Sequence, residues 1–180
     1  MRSLLLPSRA LAFSLAGLLA VAACSSDSSD TGGSGSTSCS FQLSGGLSGS
    51  PTCTPLGTFY VADGNMTEFG FTPAFGGDPS TLVAISFTGQ PSQKTYHETD
   101  AGTVAAISVS SGSSAWAMQT ADTANGIPAT GSFVLTVTSV STITTASAGN
   151  SYQLHGTLTA TLPAEAGTSA TGTVTLKATF

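Results

Sequence analysis

"YQLHGTLTATLPAEAGTSATGTVTLKATF" (residues 152–180) decides the fold class. Tyr152, Leu154, Gly156, Leu158, Ala160 and Leu162 alternate with Gln153, His155, Thr157, Thr159 and Thr161. After a loop at 163–170 the alternation resumes, with Val174, Leu176, Ala178 and Phe180 set against Thr173, Thr175, Lys177 and Thr179. Successive side chains of a strand point to opposite faces, so each run has one apolar and one polar side. Two such runs joined by a loop read as an antiparallel pair laid over a core.

Working outward, strand-like runs at 58–62, 65–71, 82–88, 103–110, 115–120, 131–142, 151–162 and 171–180 are separated by Gly, Pro, Asn and Asp. Helical periodicity is absent from this region. The spacing predicts a single antiparallel β-sandwich of about eight strands over residues 39–180. Asp63-Gly64 in "TFYVADGNMTEF" predicts a hairpin with a two-residue type I′ turn. The run 103–109 carries Val104 and Ala106 on one face and Ile107 and Val109 on the other, and so reads as a central strand buried on both sides.

The amino-terminal segment has a different character. Arg2 and Arg9 precede an apolar or small run at 10–23, which at about 14 residues falls short of the roughly 20 that cross a bilayer as a helix. This is the form of a secretory signal peptide, residues 1–23. Val21-Ala22-Ala23-Cys24 resembles the lipobox of bacterial lipoproteins, with Val21 where the family favours Leu. The resemblance implies cleavage before Cys24, a diacylglyceryl thioether on its sulfur and acylation of the new amino group, palmitate being a typical chain. Two or three acyl chains give stable membrane anchoring where one is marginal. Ser25 is not the Asp that retains many such lipoproteins in the inner membrane of enteric bacteria, so a Gram-negative source implies the outer membrane. Residues 25–38 hold no apolar side chain, and composition predicts a flexible Ser/Gly/Asp linker.

Loss of residues 1–23 leaves Lys94 and Lys177 against nine acidic groups, a net charge of −7. Such a surface is unsuited to nucleic acid. Charged residues are 7% of the chain, against about 25% in ordinary soluble domains. In an exported protein, Cys39 and Cys53 predict a disulfide closing "CSFQLSGGLSGSPTC".

Catalytic motifs are scarce. "GLSGS" lacks the last glycine of a nucleophile elbow. "DGNMTEFG" has Glu68 where a calcium loop turns on glycine, and Ala74 where it ends on glutamate. The densest polar cluster is "KTYHETD" (residues 94–100), where His97, Glu98 and Asp100, joined by His155, are candidates for a polar site; the plainer reading is a solvated loop. Tyr60, Tyr96 and Trp116 are candidate sugar-stacking aromatics, although Trp116, alternating with Met118, also suits a core. No metal or cofactor is expected.

Fourteen threonines lie between Thr130 and Phe180, several in T-x-T spacing. A regular Thr array can order water or meet a repetitive surface such as ice. Thr also simply favours half-exposed strands, and Gln153, His155 and Lys177 interrupt the series. The carboxyl-terminal runs resemble the terminal hairpin of small Gram-negative envelope lipoproteins, a group with no activity to carry over. Phe180 after alternating apolar residues also resembles the closing strand of outer-membrane barrels, but the other runs lack a lipid-facing band with aromatic girdles. The sequence therefore leads to a lipid-anchored, non-catalytic envelope module with a protein or glycan partner. The alternatives are a carbohydrate-binding module and a secreted hydrolase or metal-dependent enzyme.

Overall fold

The computed structural model describes residues 39–180 except 52, 62–63, 74–78, 124 and 147–148; of 53–57, 59, 71–73 and 146 it describes the backbone alone. Signal peptide, Cys24 and linker therefore lie outside the described residues. The strands are β1 (Ser40–Gly45), β2 (Cys53–Val61), β3 (Met66–Pro73), β4 (Ser80–Thr88) and β5 (Thr95–His97), followed by β6 (Val104–Ser111), β7 (Ser114–Gln119), β8 (Ser132–Ala146), β9 (Gly149–Pro163) and β10 (Thr173–Thr179). Among the described residues all pairings are antiparallel, and the ten strands belong to one hydrogen-bonded sheet.

The spine of this sheet is β9. Along one edge it pairs with β8 over nearly its full length. Its other edge is shared. Residues 157–163 pair with β10, and 149–152 pair with β2. Between them Gly156 exchanges two backbone hydrogen bonds with Phe180, at 2.9 and 3.1 Å. From β10 the sheet ends at β1; from β2 it continues through β3, β4 and β6 to β7.

Among the described residues, one face of this sheet supplies the core. Leu158, Leu162, Leu176 and Val174 from the β9–β10 pair meet Phe133 and Leu135 of β8, Ile85 and Val83 of β4 and Ile107 of β6, all almost fully buried. The sheet curls around them. Phe69 of β3 and Phe180 have ring centroids 5.0 Å apart. Trp116 of β7 bridges to Ala164 just beyond β9, and its Nε1 donates to the Thr171 carbonyl at 3.3 Å. Each buried Leu, Ile or Phe contributes about 1.5–3 kcal/mol by removal of apolar surface from water.

The carboxyl-terminal hairpin has the expected faces and register: Leu162 opposes Val174, Ala160 opposes Leu176 and Leu158 opposes Ala178. Two local expectations are corrected. In β6 Ala105, Ile107 and Val109 are buried, but Val104 is 58% exposed. The strand is not buried on both sides, because a sheet wrapped around one core has a single interior. Residues 94–100 are not merely a loop; they contain β5, which pairs with β8 because Tyr96 is drawn into the core. The β2–β3 ladder closes at Val61 and Met66, and Asn65 takes the left-handed conformation with φ 46°. Val61 opposite Met66 is the register that a hairpin about Asp63-Gly64 requires; residues 62 and 63, and the turn type with them, lie outside the described residues.

β1 escapes the sequence reading because only Phe41 and Leu43 mark it, and both are buried against β10. Immediately before it, Cys39 is disulfide-bonded. The side chain of Cys53, its expected partner, lies outside those described. With Cys53 as partner, reduction is expected to lower stability by about 3 kcal/mol, the chain-entropy value for a loop of about 15 residues. The change should appear as a lower denaturant midpoint at unchanged slope. An unchanged midpoint after reduction would contradict closure of the 39–53 loop.

Candidate functional site

The polar cluster at 97–100 is held by backbone geometry. Asp100 Oδ2 accepts the His97 amide at 2.9 Å, and the Asp100 amide donates back to the His97 carbonyl at 3.1 Å. This is the local bonding that Asp favours in turns. Glu98 Oε2 accepts the Phe133 amide at 3.1 Å, tying the segment to the start of β8. Both carboxylates thus carry structural hydrogen bonds. The His97 side chain is exposed on the outer face of the sheet.

His155 is exposed on the same face, but at a distance. His97 opposes Val134, Val134 opposes Thr159, and His155 lies four residues from Thr159 along β9. Strand geometry separates the two imidazoles' backbones by about 13 Å along the strands and about 10 Å across them. They do not meet in one site. Among the described residues no group of three His, Cys, Asp or Glu side chains is placed to hold a metal ion.

Two of the three candidate aromatics are inside the protein. Tyr96 is 2% exposed, stacked on Phe87 with centroids 4.1 Å apart; the Lys94 ammonium lies 4.4 Å from its ring centroid, and its hydroxyl accepts the Ser92 amide. Trp116 is 3% exposed. Neither offers a ring face to a sugar in solution. Tyr60 is half-buried and donates its hydroxyl to Asn65 Oδ1 at 3.1 Å.

What the register does assemble is a surface. The outward side chains of β8, β9, β10 and β1, with β5 beside them, align in three rows across the strands. The first row is Ser132, Thr161, Thr175 and Ser44. The second is His97, Val134, Thr159, Lys177 and Gln42, and the third is Thr95, Thr136, Thr157, Thr179 and Ser40. All are exposed or half-exposed. The two flanking rows are hydroxyls throughout, and no carboxylate occupies any row. Neighbours stand about 4.8 Å apart across strands and about 6.7 Å apart along them. Thr95 and Thr136 share a hydroxyl hydrogen bond at 3.3 Å. A sheet of this kind twists by about 20–25° from strand to strand, so the hydroxyls follow a curved surface and do not form a flat lattice. That geometry fits a flexible chain better than a crystal face. In the sequence the T-x-T spacing was visible, but the alignment of Thr on β8 and β9 with Ser on β1 depends on long-range pairing.

No family model, curated protein or solved structure matches this chain.

Proposed function

We propose that the chain is a lipid-anchored, non-catalytic module of the bacterial cell envelope, which contacts an uncharged, hydroxyl-rich glycan chain through the outer face of β5, β8, β9, β10 and β1. The observation that carries this reading is the pair of hydroxyl rows flanking Thr159 and Lys177. Ser and Thr hydroxyls donate and accept alike, as sugar hydroxyls do. Each such bond is worth only about 0.5–1.5 kcal/mol net in water, so many must act together, which extended rows allow. The anchor is supported by Val21-Ala22-Ala23-Cys24. Engagement of Glu98 and Asp100 with backbone amides favours a binding role over a catalytic one.

The test is co-sedimentation of the full chain with isolated, insoluble cell-wall glycan. Thr157→Glu places a carboxylate in the middle of the third row and is expected to reduce the bound fraction at least fivefold. Val104→Glu, on the outer face of β6, is expected to leave it unchanged. Failure of the unmodified protein to sediment, or equal loss in both variants, overturns the contact face. In cells Cys24→Ala is expected to move the protein from the membrane to the soluble fraction; retention in the membrane would refute the anchor.

A further inference from the structure

A sheet that does not close fully has edges, and an unpaired edge strand is a template for another strand. Here the chain itself covers two of them. On β1, Leu43 exchanges backbone hydrogen bonds with Gly49 at 2.7 and 3.2 Å. On β7, Ala115 accepts the Glu165 amide at 2.8 Å, while Gln119 and Thr130 bond reciprocally at 3.0 Å. The β5 edge is only three residues long.

The outer edge of β8 differs. Its Val134–Thr136 segment is paired with β5, and the Val137 amide donates to the Lys94 carbonyl. Beyond Val137, among the described residues, no backbone hydrogen bond reaches this edge. The run at 139–145 is "SVSTITT": β-branched or small, without charge, Pro or Gly. Ile143 is 61% exposed. Irregularities in the β8–β9 register between Val137 and Ser139 and between Thr142 and Thr144 bracket a regular stretch at 139–142. Natural edges are guarded by Lys, Pro, inward charges or bulges; the irregularities here fall on either side of 139–142, and the stretch itself carries no guard.

We propose that residues 139–142 of β8 pair edge to edge and antiparallel with the same segment of a second copy, forming a two-fold dimer with one continuous sheet. A second copy is the occupant that the chemistry of the edge favours. Its side chains carry no charge, so two identical edges meet without like-charge repulsion, whereas a basic or acidic peptide finds no counter-charge there. A two-fold axis perpendicular to the sheet opposes only residues that share a face. Placed at Ser141, it sets Ser141 opposite its own copy and Val140 opposite Thr142, a β-branched pair on the inner face that suits an antiparallel ladder. This inference is independent of the glycan face and of the anchor.

The experiment places single cysteines at each residue from 139 to 143 in the full chain, oxidises extracts of the expressing cells, and separates them without reductant. The expected result is a disulfide-linked species of twice the chain mass, strongest for Ser141→Cys, which directly opposes its own copy. It should fall at least tenfold when Thr142→Lys is added, and Thr159→Cys on the open face should not give it. No dimer at any of the five positions, an equal yield from Thr159→Cys, no effect of Thr142→Lys, or a conjugate of another mass would each overturn the proposal.

Discussion

Leu158→Asp is expected to leave the protein unfolded at neutral pH. Leu158 is fully buried at the middle of β9, opposite Leu135 of β8 on one side and Ala178 of β10 on the other. A carboxylate there has no polar partner among these neighbours, and burying an unpaired charge is among the costliest single changes. A loss of more than about 4 kcal/mol consumes most of the 5–15 kcal/mol that holds an ordinary domain together. Leu158→Ala, which removes only volume, should cost about 2–5 kcal/mol and still fold. Thr159→Asp, one residue on but facing solvent beside Lys177, should shift stability by less than about 0.5 kcal/mol. Circular dichroism during heating checks all three. A cooperative transition for Leu158→Asp near that of the unmodified protein would show that this face of β9 does not line the core.

Gly156→Ala is the second large effect expected, and its direction runs against the usual rule. Replacing glycine in a strand by alanine ordinarily helps by about 0.5–1 kcal/mol, because glycine loses more freedom on folding. At Gly156 a methyl group would run into the Thr136 carbonyl oxygen and lie 3.1 Å from Phe180 Cζ. The backbone there is pinned from both sides. Phe180 bonds to Gly156 through amide and carbonyl, and β8 has a register irregularity directly opposite, between Val137 and Ser139. The Phe180 ring occupies the space a side chain would need, and this is the point where β9 passes from β10 to β2. A loss of about 2–4 kcal/mol is expected, in the range of overpacking plus backbone displacement. Gly49→Ala, where an added methyl meets nothing within 4 Å, serves as the control and should be nearly neutral. The readout is the denaturant midpoint; equal midpoints for the two variants would contradict the close approach at Gly156.

Only part of the candidate site was legible in the residues. That Lys94, His97, Glu98 and Asp100 cluster was visible. That Glu98 reaches the Phe133 amide, 35 residues away, was not, since it requires β5 to dock on β8. Tyr96 reads from its neighbours as an exposed loop aromatic; burial against Phe87 reverses that reading. Likewise Val104 and Ala106 read as core by composition, and only the position of β6 on a sheet with one interior turns them outward.

By itself the sequence determined the all-β class and the inward face of the last two strands. Period-two alternation is a local property, settled by which neighbours along one strand are apolar, and Leu158, Leu176 and their companions state it without outside help. Tertiary structure decided which strands share an edge, and with that everything two-dimensional. β9 is divided between β10 and β2 at Gly156, hydroxyls from five strands come into rows, and among the described residues β8 has no partner on its outer edge past Val137. The physical reason is that backbone hydrogen bonds across a sheet are nearly blind to side-chain identity. Partner and register are chosen by the collective packing of one core, and no single run of residues contains that information.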